Sequence, residues 1–142
     1  MEIKNKKATF DYTILKELEA GIELKGTEIK SIRKGSCDLK DSFVIIKNKE
    51  AYVLNMYVAK YDQASQFNHD ERRTRKLLLH KEEIKRLKEE KESEGISIIP
   101  LKLYFKNNHV KLLIGIAKGK KLYDKRESIK KRDLEREQKN LY

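Results

Sequence analysis

The 142-residue sequence holds a single cysteine, Cys37, so it can close no internal disulfide and build no cysteine-rich zinc site. A reducing cytoplasm is the expected location. Long hydrophobic runs are also missing. The opening MEIKNKKATF has no apolar stretch of signal-peptide length, and nowhere do apolar residues approach the roughly 18 in succession that span a bilayer. No membrane partner is expected. The signatures of catalysis are absent too: there is no HExxH, GxSxG, phosphate-loop or dinucleotide-binding glycine pattern. His69, His80 and His109 fall on three different predicted elements, none with a neighbour at metal-ligand or triad spacing, and read as surface or capping residues. Cys37 lacks a suitably placed histidine and reads as a small buried or loop residue. The sequence therefore assigns no catalytic residue, metal or cofactor.

What the chain does have is charge. Its 34 Lys and Arg outnumber 23 Asp and Glu, giving a net +11. Solvation alone does not call for that excess, and its clustering points to a polyanion partner. The length suits one domain. Without the tail and a few leading residues about 115 residues remain, enough for one modest core.

Along the chain, Phe10, Tyr12, Ile14, Leu18, Ala20, Ile22 and Leu24 share one parity, which predicts a strand over residues 8–25. At about 3.3 Å per residue it would be some 50 Å long, so it must curl, with Ala20 and Gly21 as the bend. Thr27 is placed to cap a short helix that turns Ile29 and Ile32 inward and ends at Gly35. Phe43–Ile46 and Ala51–Ala59 read as strands joined by a turn at 47–50. Arg72–Leu79 reads as a basic strand or arm, and Lys81–Ser93 as an outside helix whose apolar face is only Ile84 and Leu87. Ile96–Lys106 is the next strand, with Pro100 marking an edge or a bulge. After a tight turn at Asn107 and Asn108, Val110–Ala117 is apolar on both parities and so central.

These features predict a mainly β fold with peripheral helices: an oligonucleotide-binding-type antiparallel barrel over residues 1–119 and a basic tail over 120–142. The tail has too few apolar residues to dock on the barrel, yet carries acid-before-base pairs Glu127–Lys131 and Glu135–Lys139 and nothing after Gly119 that breaks a helix. It is expected to be disordered alone and helical on an anionic partner.

Two clusters carry the binding chemistry. Arg72, Arg73, Arg75 and Lys76 flow into Leu77, Leu78 and Leu79, so the backbone is anchored while the cations are displayed to phosphate. Lys102, Tyr104 and Lys106 share the face opposite Leu101, Leu103 and Phe105; there cations meet phosphate and the ring can stack. Rival readings are a single-stranded RNA binder of cold-shock type, and a metal-dependent nuclease built on Glu28, Asp38 and Asp41.

The segments NKKATFDY, EAGIELKGTEIKSIRKG, FNHDERRTRKLLLHKEEI and PLKLYFKNNHVKLLIGIAKGKKLYDKRE, with the charged tail, together resemble the small protein B family. These are the SsrA-binding proteins that escort transfer-messenger RNA (tmRNA) to stalled bacterial ribosomes. The resemblance implies an RNA-binding barrel without catalytic activity, acting in trans-translation. It further implies that the tail becomes helical in the empty messenger channel of the 70S ribosome, against 16S rRNA beside the decoding centre. Carried over by position, it assigns RNA binding to Asn5, Glu19, Leu78 and Gly119, beside the cations Lys118, Lys120 and Lys121. It assigns the decoding-centre role to Asp124, Lys125 and Arg126, with Tyr123 standing where some relatives have histidine. Glu19 is then expected to accept from a base or ribose hydroxyl or to hold an arginine, and Leu78 to pack beneath the contact surface. Elongation factor Tu and alanyl-tRNA synthetase are implied as partners through the shared RNA.

Overall fold

The computed structural model describes residues 2–61 and 68–120. In chain order they form β1 (Glu2–Lys4), α1 (Ala8–Asp11), β2 (Tyr12–Ile22), α2 (Gly26–Arg33), β3 (Cys37–Asp38), β4 (Phe43–Lys47), β5 (Glu50–Leu54), β6 (Tyr57–Val58), β7 (Arg75–Leu78), α3 (Lys81–Lys91), β8 (Ile96–Lys106) and β9 (His109–Gly119). A seven-stranded antiparallel sheet runs β1-β8-β9-β2-β7-β5-β4, and β3 pairs with β6. The sheet curls until β4 comes back against β8, and α3 packs on β8, β4 and β9. This is the mainly β, oligonucleotide-binding-like fold that the patterning predicts, with the expected barrel drawn as a curled sheet whose end strands β1 and β4 are not paired with each other.

The hairpins follow from their turn residues. Asn107 and Asn108 have φ of 51° and 64°, and Asn48 and Lys49 have 51° and 62°, so both two-residue turns carry left-handed backbone that matches the strand twist. Gly35, at φ 75°, ends the segment after α2 as expected.

The 8–25 periodicity conceals a break. Ala8–Asp11 is helical, and β2 begins at Tyr12. The bend lies at Leu15, where pairing with β9 shifts between Ile14 and Lys16, not at Ala20 and Gly21. A matching shift between Pro100 and Lys102 makes Pro100 a bulge marker. That bulge reverses the inward parity of β8. Ile98 and Leu103 enter the main core, whereas Ile99 and Leu101 join Ala8 and Ala117 in a second cluster with Tyr12 and Ile14. Leu101 therefore does not share the face of Leu103 and Phe105. Strand 51–59 is also interrupted: β5 stops at Leu54, Asn55 turns at φ 62°, and β6 joins β3 instead.

The main core contains Ile32, Val53, Met56, Leu77, Leu103, Leu112 and Ile114. Ile84 and Leu87 are buried in it, so α3 lies on the outside, as predicted, and covers the core with its short apolar face. The N-terminus of α2 is capped at Lys25, whose amide donates to Glu28 Oε1 at 2.8 Å; Thr27 is not the cap. Thr27 Oγ1 lies 2.9 Å from His69 Nδ1, and His69 Nε2 lies 2.9 Å from the Val58 carbonyl. His69 is thus a buried bracket between α2 and β6, not a surface residue. His80 does sit at a helix start, the N-cap of α3. β9 runs on through Lys118 and Gly119, paired with Thr13 and Tyr12, two residues beyond the predicted end at Ala117. Among the described residues no helix is long and apolar enough to cross a membrane.

Candidate nucleic-acid interface

Strand register assembles one continuous outer face. Tyr104 pairs with Lys111, Lys111 with Gly21, and Gly21 with Leu78, so these four stand in a row across β8, β9, β2 and β7. In the next row Lys102 pairs with Leu113 and Leu113 with Glu19. Two segments distant in sequence, the basic arm and the lysine-tyrosine row, are joined through β2 and β9.

Glu19 organises this face. The Tyr104 hydroxyl donates to Glu19 Oε2, and Lys106 Nζ lies 3.5 Å from Oε1. That hydrogen bond, with the nearby lysines, holds the Glu19 carboxyl below its ordinary range. Burial and the same bond push the Tyr104 hydroxyl up to about 12. Glu19 therefore holds a tyrosine and a lysine in place of a neighbouring arginine. Lys102 lies over the Tyr104 ring, 5.3 Å from its centroid, and 3.4 Å from Glu2.

The basic arm divides by parity. Arg75 is fully buried: its Nε donates to Glu28 Oε2, and its Nη1 to the carbonyls of Met56 at 2.7 Å and Arg73 at 3.0 Å. It is not a displayed cation, which corrects its place among the RNA-binding residues. Arg73 is partly exposed and donates to Glu28 Oε1 at 2.5 Å. Burial pushes the Glu28 carboxyl up, but the hydrogen bonds from Arg73, the Lys25 amide and Arg75 outweigh it and hold the group below its usual range. Arg72 is exposed, stacked 5.3 Å from the Tyr57 centroid and bonded to Asn55. Lys76 reaches Glu50 at 3.6 Å. Leu78, expected beneath the surface, is instead 52% exposed.

Leu78 and Gly21 also line a groove of about 1200 Å³ between the sheet and α3, together with Lys76, Lys81, Lys85 and Lys111. The groove was not legible in the sequence beforehand. Its only signal is the i,i+4 spacing of Lys81 and Lys85.

Asn5 donates its amide to the carbonyls of Pro100 at 2.9 Å and Leu39 at 3.3 Å, which ties the entry of the chain to the β8 bulge. Gly119 is paired with Tyr12 at the end of β9. Lys118 is exposed, and Lys120 Nζ donates to the Thr9 carbonyl at 3.1 Å. Lys121, Tyr123, Asp124, Lys125 and Arg126 lie outside the described residues.

The carboxylates of the nuclease reading do not converge on a metal site: Glu28 is committed to two arginines, and no group of three potential ligands is placed for a metal among the described residues. Burial pushes the Cys37 thiol up to about 12, which leaves it unreactive.

A curled antiparallel sheet with a cationic, partly apolar outer face defines a nucleic-acid-binding domain. The family model described as SmpB protein matches residues 2–142, and the chain belongs to that family. Similar proteins include the SsrA-binding protein of Ligilactobacillus salivarius, 58% identical over 134 residues, covering 94% of this chain and 86% of that protein. The SsrA-binding protein of Staphylococcus aureus strain JH1 is 54% identical, covering 98% and 93%. That of Carboxydothermus hydrogenoformans is 54% identical, covering 94% and 90%. Among solved structures, a chain described under "tmRNA-SmpB: a journey to the center of the bacterial ribosome" is 45% identical with a TM-score of 0.75, covering 90% of this chain and 94% of that one.

Proposed function

We propose that this chain binds the transfer-RNA-like part of tmRNA and delivers it to stalled ribosomes for trans-translation. The observation that carries this reading is the outer-face row Tyr104, Lys111, Gly21 and Leu78, with Glu19 beside it, in a chain 58% identical to an SsrA-binding protein. A rigid sheet face bearing oriented cations suits a folded RNA, which is recognised by shape and by phosphate and 2′-hydroxyl contacts. Lys102, Tyr104, Lys76, Arg72, Lys118, Gly119 and Lys120 are assigned to direct contact. Asn5 supports them by holding the chain entry. Arg73 and Arg75 act through Glu28.

The action is one of binding without turnover, in the cytoplasm. Elongation factor Tu and alanyl-tRNA synthetase meet the protein through the shared RNA. Residues 1–119 form the RNA-binding unit. The tail, with the motif Tyr123, Asp124, Lys125 and Arg126, occupies the empty messenger channel near the decoding centre, and Lys121 at its start contacts the RNA.

Truncation after Lys121 tests this division. The shortened chain should keep its thermal midpoint and its affinity for the transfer-RNA-like RNA, and lose tagging on stalled ribosomes. Collapse of RNA affinity would overturn the division. Equal affinity for an unstructured strand of the same length would favour the cold-shock reading. If about five phosphates are neutralised at a slope near −0.7 each, a fourfold rise in salt weakens binding on the order of a hundredfold.

A further inference from the structure

The end of β9 is tied to α1. The Lys120 amide donates to the Asp11 carbonyl at 3.0 Å, and its Nζ donates to the Thr9 carbonyl at 3.1 Å. Gly119 passes over the Tyr12 ring, where an added β-carbon would stand 4.0 Å from Cε1. The tail therefore leaves the domain from one fixed point.

That point is the rim of a cleft. Asp11 and Tyr12 line a hollow of about 370 Å³ that also touches β4, β8 and the end of α3, with Ala8, Phe43, Val44 and Ile99 as its apolar surface. The volume falls in the range of about 300–1,000 Å³ typical of sites that take a ligand. Phe43 is 43% exposed on its wall, a large apolar ring left uncovered beside a hollow. Lys7, Asp41 and Lys91 line the same hollow; all three are exposed, and none is ion-paired among the described residues.

The chain itself supplies a match. The tail as a whole is too polar to pack, but its first apolar residues, Leu122 and Tyr123, come two and three positions after Lys120 and are followed by Asp124, Lys125 and Arg126. Three residues of extended chain reach about 10 Å, enough to enter a hollow that begins at the attachment point. The charges that follow complement those of the cleft, Asp124 against Lys7 and Lys91, and the two cations against Asp41. So short a tether holds the segment at an effective concentration on the order of millimolar, and a contact too weak to form between separate molecules is then occupied.

We infer that Leu122 and Tyr123 seat in the cleft between α1 and β4 while the protein is off the ribosome, and that this contact holds back the motif at 124–126 until the decoding centre displaces it. The displacement step rests on the proposed function. A contact of this size opens far below the melting temperature of the domain, so thermal midpoints do not report it. With about four-fifths of the chains seated, affinity for the decoding centre is lowered about fivefold.

The sequence contains no tryptophan, so Tyr123→Trp in the full chain is a lone reporter. Its quenching by acrylamide should be about threefold weaker than that of Tyr142→Trp at the far end of the tail. Phe43→Ala, at an exposed position, should bring the two together, and Lys91→Glu, on a different element, should act in the same direction. With Tyr123 restored, Phe43→Ala in complex with the RNA should bind stalled ribosomes about fivefold more tightly than wild type. Equal quenching at 123 and 142 would overturn the inference. So would protection that survives both variants, which puts the segment elsewhere, or protection that grows with protein concentration, which puts a second copy in the cleft. Wild-type ribosome affinity in Phe43→Ala would overturn the holding-back role. Protection at 123 that Phe43→Ala abolishes, in a chain that binds neither the transfer-RNA-like RNA nor ribosomes, would overturn the proposed function and leave the cleft contact standing.

Discussion

Leu78 lies across Gly21. The two are directly paired between β7 and β2, and a β-carbon at position 21 would stand 3.1 Å from the Leu78 β-carbon. The bare glycine lets an exposed leucine lean over the cationic face, where it can cover the apolar edge of a nucleotide.

Gly21→Val should therefore displace Leu78 and weaken binding of the transfer-RNA-like RNA on the order of tenfold, the effect of losing one well-placed contact. Stability should fall by about 1–3 kcal/mol, because the Leu78 β-carbon is fixed to the β7 backbone and the two strands must shift to make room. Filter binding alongside urea unfolding separates the two effects. A large stability loss with unchanged affinity would rule out the contact role.

The Glu19–Tyr104 bond yields a spectroscopic prediction. Glu19→Gln should bring the ionisation of the Tyr104 hydroxyl down from about 12 toward its ordinary range, read by ultraviolet titration. If Glu19 acts on RNA by orienting Tyr104, then Tyr104→Phe and Glu19→Gln weaken binding to similar extents, and the double variant is no worse than either. Additive losses would assign Glu19 its own contact.

Replacing Glu28 with Gln should cost about 3–5 kcal/mol, because Arg75 then remains buried beside an uncharged partner. The sign of the pH effect follows from the direction of the shift. The carboxyl is held below its usual range in the folded state, so its contribution is complete above the unfolded value and fades as pH falls through the folded one. Wild-type stability should drop on acidification below about pH 4, and the variant should lose that part of the slope. Denaturant melts between pH 3 and 7 would reveal it, at roughly the ordinary carboxylate range.

At Gly115 an added β-carbon would stand 2.9 Å from Leu101 Cδ1 and 3.2 Å from its Cγ. Gly115→Ala should destabilise by roughly 1–2 kcal/mol, and Leu101→Ala in the same chain should recover part of that. Thermal melts of the four members of the cycle would measure the coupling, and strict additivity would remove the packing argument.

Lys49 turns at φ 62°, a region that disfavours a side chain. Lys49→Gly should stabilise the hairpin by about 1 kcal/mol, seen as a higher urea midpoint with unchanged slope.

The sequence was most informative where a single local signal decides the structure. Two asparagines place the β8–β9 turn, and β9 reads as central because both of its faces are apolar. It was least informative where one residue changes the count. The extra residues at Leu15 and Leu101 leave no mark in a parity pattern, since each half stays periodic on its own. The basic arm is a different case, because its signal was present. Arg73, Arg75 and Leu77 share one parity, and Arg72, Lys76 and Leu78 the other, so burying Leu77 turns Arg75 inward and Leu78 outward. Charge clustering hid that alternation. The buried acid that receives Arg75 lies 47 positions away in the chain, and only the fold brings them together.

Both neighbours of β9 carry one more residue than it does over the span they share, Leu15 on one flank and the bulge before Lys102 on the other. A ribbon with a short middle and longer margins has to cup, as a seam gathered along its centre line draws cloth into a bowl. The curvature that brings the ends of the sheet toward one another is thus written in two single-residue insertions. Removing Leu15 would leave every remaining cross-strand partner of β2 in place and relax the bowl toward a plane.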